Sequence, residues 1–131
     1  MKKVMLLLLL SLCFTGVALA LPLDGKTYKG TVLNTGEQPT PDNFEFTNGQ
    51  FHSTACDEHG YTAAPYSAST EGKSVSFKAT TKNKEGDTIA WHGTVNGEEV
   101  KGTALRQTAK GEKYNMSFEG KLVAGEHKSH G

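Results

Sequence analysis

Cysteine is scarce in this chain of 131 residues, which has only Cys13 and Cys56. Cys13 lies in an N-terminal segment with the features of a cleavable signal, so cleavage would leave Cys56 alone and no internal disulfide could form. A lone cysteine in an exported protein is buried and inert, paired between chains, or a metal ligand or reactive thiol. Pairing between chains would make a dimer linked through Cys56.

An excess of charge of one sign is also lacking, since fourteen basic residues balance fourteen acidic ones. Removing residues 1–20 takes away Lys2 and Lys3 and no acid, which leaves a formal charge of −2. No run of Lys and Arg is interleaved with aromatic residues, so we predict no nucleic-acid partner. After residue 20 no stretch offers about 20 consecutive apolar residues, so we predict no transmembrane anchor.

Motifs typical of enzymes are missing as well. The chain has no Gly-x-Ser-x-Gly elbow, His-Glu-x-x-His helix, phosphate loop or dinucleotide fingerprint. A nucleophile formed by Cys56 and a histidine would need a third group to orient the base, and the sequence identifies none. We therefore predict a protein that is not an enzyme and has no catalytic residues.

The first twenty residues have the three regions of a secretory signal peptide. Lys2 and Lys3 precede an apolar run from Val4 to Phe14, and Ala18-Leu19-Ala20 is a small-x-small cleavage site. Cleavage after Ala20 would make Leu21 the first residue of a bacterial protein that is periplasmic or secreted. The rest of the chain fits a single domain over 21–123, followed by a flexible charged tail over 124–131.

The domain consists of short segments rich in Thr, Val, Phe and Tyr that alternate with period two between Gly, Asn and Lys turns. Asn48-Gly49 and Asn96-Gly97 predict two-residue hairpins of type I′, in which both turn residues have positive φ. Pro39 and Pro41 make residues 34–42 the longest predicted loop. The eight predicted strands cover 26–33, 43–48, 50–55, 64–70, 74–82, 88–96, 99–107 and 113–123.

One pattern recurs on four strands: a large apolar residue, x, Gly, x, and a smaller apolar residue. Glycine on the inward face of a strand lets the backbone bend or lets a neighbouring aromatic ring approach. The alternative interpretation is that these glycines form outward bulges in the strands of an open β-sandwich. Eight strands in sequence order without helices favour an all-β, eight-stranded antiparallel up-and-down meander barrel. The pattern occurs as Tyr28-x-Gly30-x-Val32, Trp91-x-Gly93-x-Val95, Val100-x-Gly102-x-Ala104 and Phe118-x-Gly120-x-Leu122.

The eight-strand meander, the size of the domain and its start at Gly25-Lys26-x-Tyr28-x-Gly30 resemble the calycin group of small barrels. This group includes the lipocalins and the fatty-acid-binding proteins. The resemblance covers the domain by architecture, and it implies a ligand held inside the barrel or at its mouth.

The expected function depends on whether the barrel interior is filled. Small inward residues such as Ala79 and Ala104 would leave a cavity for a small apolar or amphipathic ligand, or the large ones would fill it. A filled barrel would instead bind another exported protein through exposed aromatic residues such as Tyr61. With a cavity, the predicted ligand-binding residues are Tyr28, Phe46, Tyr66, Phe77, Trp91, Tyr114 and Phe118.

A second candidate site is His52-x-x-x-Cys56-x-x-His59. Thiolate and imidazole are good ligands for zinc or copper, and the short spacing could bring Cys56 and His59 to one ion across a turn. His52, Thr54 and Cys56 share one face of the predicted third strand, the face opposite Phe51, so the metal would lie outside the barrel or in the next loop. The competing interpretation is a half-buried thiol beside two solvated imidazoles, with no cofactor.

Overall fold

The computed structural model describes residues 21–123. The predicted signal peptide and charged tail lie outside the described residues. Eight strands follow one another, with one short 3₁₀ helix, η1, at Thr54–His59 between the third and the fourth. The strands are β1 Thr27–Asn34, β2 Thr40–Thr47, β3 Gln50–Ser53, β4 Ala64–Glu71, β5 Ser74–Lys82, β6 Thr88–Asn96, β7 Glu99–Gln107 and β8 Lys113–Leu122.

Each strand pairs antiparallel with its neighbours in sequence, and β1 pairs with β8 to close the barrel. The closing ladder runs from Tyr28 opposite Leu122 to Asn34 opposite Met116. The predicted all-β, eight-stranded antiparallel meander barrel is therefore confirmed. Closure removes the unpaired edges that an open sheet of this size would expose.

The two Asn-Gly hairpins differ in their turns. Asn48 and Gly49 both have positive φ, 50° and 78°, as predicted for a type I′ turn. Asn96 instead ends β6 opposite Glu99, so the turn consists of Gly97 and Glu98, and of these two only Gly97 has positive φ. The hairpin prediction is confirmed at both places, but the prediction of positive φ at Asn96 is wrong.

The second strand begins earlier than the prolines predicted. β2 starts at Thr40 and includes Pro41, which lies opposite Thr31 of β1. β3 joins the ladder only from Phe44 onward, so Pro41 has a strand on one side alone. A proline without an N–H is tolerated at such an edge position, and the predicted loop over residues 34–42 is correspondingly shorter.

The third strand ends earlier than predicted. β3 stops at Ser53 and the chain continues into η1, because the buried Asp42 carboxylate accepts hydrogen bonds from Ser53 and from the start of η1. It accepts hydrogen bonds from Ser53 Oγ at 2.5 Å and from the Ala55 amide at 2.9 Å. The prediction that Thr54 and Cys56 continue an outward strand face with His52 is therefore wrong.

Aromatic side chains fill the body of the barrel. Ring centroids lie 4.9 Å apart for Phe46 and Phe77, 5.1 Å for Phe51 and Trp91, and 5.0 Å for Phe44 and Phe118. These separations and the tilted or edge-on orientations are those in which aromatic pairs attract each other. The core of the barrel is therefore packed with protein side chains.

Two inward glycines make this packing possible. A Cβ atom on Gly93 would lie 2.7 Å from Phe77 Cε1 and 2.8 Å from Phe118 Cζ. One on Gly102 would overlap first with the backbone of β6, at the His92 carbonyl oxygen and Gly93 Cα, and would also lie 2.7 Å from Phe118 Cζ. These distances are too short for carbon atoms in contact. The prediction that inward glycines let neighbouring aromatic rings approach is confirmed here.

Candidate functional site

The barrel has a closed end and an open end. In an up-and-down barrel, the connections β1–β2, β3–β4, β5–β6 and β7–β8 all lie at the same end. Side chains from the first three of these connections, with residues of β7 and β8, surround a cavity of about 680 Å³ at this end. A pocket of this volume suits a small organic molecule. We call it the open-end cavity.

The floor of the open-end cavity is apolar. Trp91, on β6, is 1% exposed and separates the cavity from the aromatic core. Its indole Nε1 donates a hydrogen bond of 3.1 Å to Thr81 Oγ1, so its only polar group is satisfied within the protein. Val32, Ile89 and Met116 line the cavity beside it. A ligand resting on this floor would meet hydrocarbon and an indole ring.

Tyr61 forms part of the wall because of the turn that ends η1. Gly60 has a φ of 85° and its amide bonds to the Asp57 carbonyl at 2.9 Å, which turns the chain back over the barrel end. Tyr61 is 6% exposed, so the prediction of an exposed aromatic residue for protein contacts is wrong. Its hydroxyl is buried and faces the Arg106 side chain, which is close enough to donate a hydrogen bond to the hydroxyl oxygen.

Arg106 reaches the same wall from β7. It lies between Ile89 of β6 and Tyr114 of β8 in the sheet register, and its guanidinium carbon is 5.2 Å from the centre of the Tyr114 ring. Burial raises the pKa of Tyr61, and the nearby Arg106 opposes that rise. Arg106 makes no ion pair with any acidic side chain of the described chain.

The rim of the cavity is held by hydrogen bonds between loops. Asn83 Oδ1 accepts from the amides of Glu85 and Asp87 at 3.1 and 3.0 Å, and Asn83 Nδ2 donates to the His59 carbonyl at 3.2 Å. Asp87 Oδ1 accepts from the Ala109 amide at 3.0 Å. The β5–β6 loop therefore ties η1 and the β7–β8 loop together, which keeps the cavity preformed.

Asp42 lines the cavity, but its carboxylate is engaged in structure. It is 4% exposed and accepts the Ser53 and Ala55 hydrogen bonds that hold η1 against β2. Burial raises the pKa of Asp42, although these hydrogen bonds oppose the rise. Its lone pairs are therefore largely occupied before any ligand arrives.

Cys56 is half-buried in the same wall, and its sulfur lies 3.3 Å from Ser53 Oγ. Burial raises the pKa of the thiol to about 11, and the carboxylates of Asp42 and Asp57 add to the rise against the opposing effects of Ser53 and Arg106. A thiol with this pKa is almost wholly protonated near neutral pH and is a weak nucleophile and metal ligand. The dimer linked through Cys56 stays a prediction.

The structure does not support the predicted metal site. His52 lies between two carboxylates, with Nδ1 3.0 Å from Glu45 Oε1 and Nε2 2.6 Å from Asp57 Oδ1, whereas Cys56 lines the cavity. His59 is exposed and 3.7 Å from the Glu58 carboxylate. Across residues 21–123, no group of three His, Cys, Asp or Glu side chains is arranged to hold a metal ion.

The seven predicted ligand-binding residues occupy four different places. Tyr66 lies at the closed end, where its hydroxyl donates to Asp24 Oδ1 at 2.9 Å. Tyr114 is 44% exposed at the rim, beside Arg106. Trp91 alone of the seven lines the open-end cavity. The other four, in the packed core, are Tyr28, Phe46, Phe77 and Phe118.

Sequence reasoning overlooked Arg106 and placed Tyr61 on the surface. A signal for Arg106 was present, because it is the only arginine in the chain and shares the inward parity of Gly102 and Ala104. An inward arginine is unusual enough to suggest a polar function at that end of the strand.

Comparisons with protein-family models, with curated proteins and with solved structures find no match to this chain. Its class therefore rests on the fold itself, a small closed β-barrel of eight antiparallel strands with a cavity at one end. The resemblance to the calycins stays a prediction. No helix within residues 21–123 is long and apolar enough to cross a membrane.

Proposed function

We propose that this protein is an exported binding protein that holds a small amphipathic ligand in the open-end cavity and does no chemistry on it. The observation that carries the proposal is the pairing of an apolar floor around Trp91 with a wall that offers Tyr61 and Arg106. Export is part of the proposal and is supported by the pattern of residues 1–20. The high pKa of Cys56 favours binding over catalysis.

The apolar part of the ligand would contact Trp91, Ile89 and Met116. These side chains border the cavity and have almost no exposed surface of their own, so the favourable free energy would come from the ligand's methylenes leaving water. Each buried methylene contributes about 0.8 kcal/mol. The filled aromatic core leaves the ligand no deeper position, so the ligand sits at the mouth of the barrel.

The polar part of the ligand would face Tyr61 and Arg106. The Tyr61 hydroxyl oxygen can accept from Arg106, which leaves its O–H to donate to an acceptor on the ligand. Arg106 has no carboxylate partner among residues 21–123, so its charge is available to an anionic group. A carboxylate with a hydrocarbon tail satisfies both requirements.

The alternative is a protein-interaction domain, which the filled aromatic core favours. The two exposed large apolar side chains of the described chain, Leu33 and Tyr114, are 39% and 44% exposed and would be its contacts. Small amphipathic probes should bind if the cavity is the functional site, and should not bind if the protein works through its surface.

The test uses the fluorescence of Trp91, which is the only tryptophan in the chain and lies at the cavity floor. Decanoate should change the emission saturably, decanol should bind more weakly, and decyltrimethylammonium should bind weakest because its charge repels Arg106. Arg106→Gln should weaken decanoate binding about tenfold. Lys101→Gln, which removes an exposed charge from the same strand, should leave binding unchanged.

Native mass spectrometry of protein purified from its export compartment complements the titration. Extra mass that disappears on denaturation would support a bound small molecule. Bare monomer mass together with no fluorescence response to the three probes would overturn the proposal. Binding that is unaffected by Arg106→Gln would overturn the assignment of the polar group.

A further inference from the structure

The end of the barrel opposite the cavity is closed by the segment Leu21–Lys26. Leu23 has no exposed surface and belongs to the core cluster. The segment is joined to β2 by backbone hydrogen bonds, from the Gly25 amide to the Phe46 carbonyl at 2.7 Å and from the Phe46 amide to the Lys26 carbonyl at 2.9 Å. The chain thus enters the barrel at its closed end and plugs it.

Asp24 organises this plug. Its Oδ1 accepts hydrogen bonds of 2.9 Å from the Gly49 amide and 2.9 Å from the Tyr66 hydroxyl. Its Oδ2 accepts one of 3.1 Å from the backbone nitrogen of Leu21. The Tyr66 hydroxyl in turn accepts from the Leu23 amide at 3.1 Å. One carboxylate therefore joins the start of the domain to the β2–β3 hairpin and to β4.

Leu21 is also the residue that follows the predicted cleavage site. We propose that cleavage after Ala20 turns the Leu21 nitrogen into an α-ammonium group that forms an ion pair with Asp24 and locks the closed end of the barrel. In the cleavage, water breaks the Ala20–Leu21 peptide bond: its oxygen stays on the Ala20 carboxylate, and the Leu21 nitrogen becomes a protonated amine. Processing and completion of the fold are then one event.

The contact already has the geometry of such an ion pair. A nitrogen 3.1 Å from a carboxylate oxygen is within hydrogen-bond reach, and a charged donor makes this bond about twice as strong as a neutral one. Leu21 is half-buried and packs near Gly49, so water screens the pair only in part. The uncleaved chain has an amide at this place, which can donate the same hydrogen bond but carries no charge.

The groups around Asp24 leave room for one positive charge. The β2–β3 hairpin contributes backbone groups at Gly49 and Phe46, and β4 contributes Tyr66, the titratable side chain in contact with Asp24 within residues 21–123. Burial alone would raise the pKa of Asp24, but the hydrogen bonds from Gly49, Leu21 and Tyr66 outweigh it and lower the pKa. Asp24 is thus ionised at neutral pH.

The pair makes stability depend on pH in a defined direction. The carboxylate favours the protonated amine, so the pKa of the Leu21 amine in the folded protein should lie about one pH unit above the usual value of about 7.7–8.0. The added stability is fully present below the usual amine pKa and is lost as pH rises through the higher folded pKa. Asp24 stays ionised throughout that range.

The first measurement is the intact mass of the protein exported with its own leader. The proposal expects the mass of residues 21–131, and cleavage at any other bond would overturn it. The second is an NMR titration of the Leu21 amine in that protein. A pKa at the usual value would overturn the ion pair, and this measurement needs no variant.

A matched chain that starts at Ala20 places its ammonium one residue away from Asp24. We expect its thermal midpoint to be lower than that of residues 21–131 at about pH 6.5 and equal to it at about pH 10.5, where both amines are neutral. With Asp24→Asn in both chains, the difference at the lower pH should disappear. Equal midpoints in the native background would refute the lock. None of these results depends on the ligand proposal.

Discussion

Replacing Gly93 with alanine tests whether the aromatic core is packed as tightly as the structure indicates. The added Cβ would lie 2.7 Å from Phe77 Cε1 and 2.8 Å from Phe118 Cζ, whereas carbon atoms in contact prefer about 3.5–4.0 Å. Each ring would have to retreat by about 0.8 Å. Phe77 cannot move freely, because Phe46 and Phe51 pack against it with ring centroids 4.9 and 5.6 Å away.

The expected change in the free energy of unfolding of Gly93→Ala follows from two opposing effects. Overpacking a core costs about 1–3 kcal/mol, and two obstructed rings place Gly93→Ala in the upper half of that range. The lower entropy of the unfolded alanine chain returns about 0.4–1 kcal/mol. The expected net loss is about 2 kcal/mol in the free energy of unfolding, or a thermal midpoint about 8 °C lower.

Urea and thermal unfolding followed by circular dichroism measure this change. Thr94→Ala, at the exposed neighbouring position, is the control and should change the unfolding free energy by less than about 0.5 kcal/mol. In a Phe77→Leu background, Gly93→Ala should cost less, because one obstructing ring is gone. A neutral or stabilising effect of Gly93→Ala in the native background would refute the packing argument.

Two further predictions concern ionisable groups of β3 and η1. His52 has only carboxylate partners, Glu45 and Asp57, so both ring nitrogens donate; burial alone would lower its pKa, but these hydrogen bonds outweigh burial and raise it. The ion pairs of protonated His52 with Glu45 and Asp57 contribute up to about 1 kcal/mol of stability below about pH 6.5, and this is lost as pH rises through the higher folded pKa. His52→Gln should therefore destabilise the protein at about pH 5.5 and have little effect at about pH 8.5. Equal losses of stability at both pH values would contradict this. For Cys56, a pKa raised from 9.0 to about 11 lowers the thiolate fraction at neutral pH about a hundredfold. Iodoacetamide should therefore alkylate the folded protein far more slowly than the unfolded chain, and equal rates would exclude the buried thiol.

The sequence was sufficient to locate most of the strands. The predicted strands 74–82, 88–96 and 99–107 agree residue for residue with β5, β6 and β7. Alternation of side chains and turn residues such as Asn48-Gly49 are local properties, so they can be read without knowing which strands meet. The errors at β2 and β3 have the opposite cause, because they involve contacts between separate segments. Pro41 is tolerated in β2 since only β1 pairs with it, and β3 ends where Asp42 of β2 binds Ser53 and Ala55.

The site could not be predicted in the same way. Tyr61, Trp91 and Arg106 come from three separate elements, and their meeting depends on the shear of the closed barrel and on the turn at Gly60. Whether the interior holds a cavity depends on how the volumes of distant side chains add up, with Gly93 and Gly102 admitting the rings that fill it. The sequence by itself determined an all-β chain of eight consecutive strands, because periodicity and turn chemistry act over a few residues. Only the tertiary structure decided that the body is filled and the cavity lies at one end, because packing is set by residues that are distant in the chain.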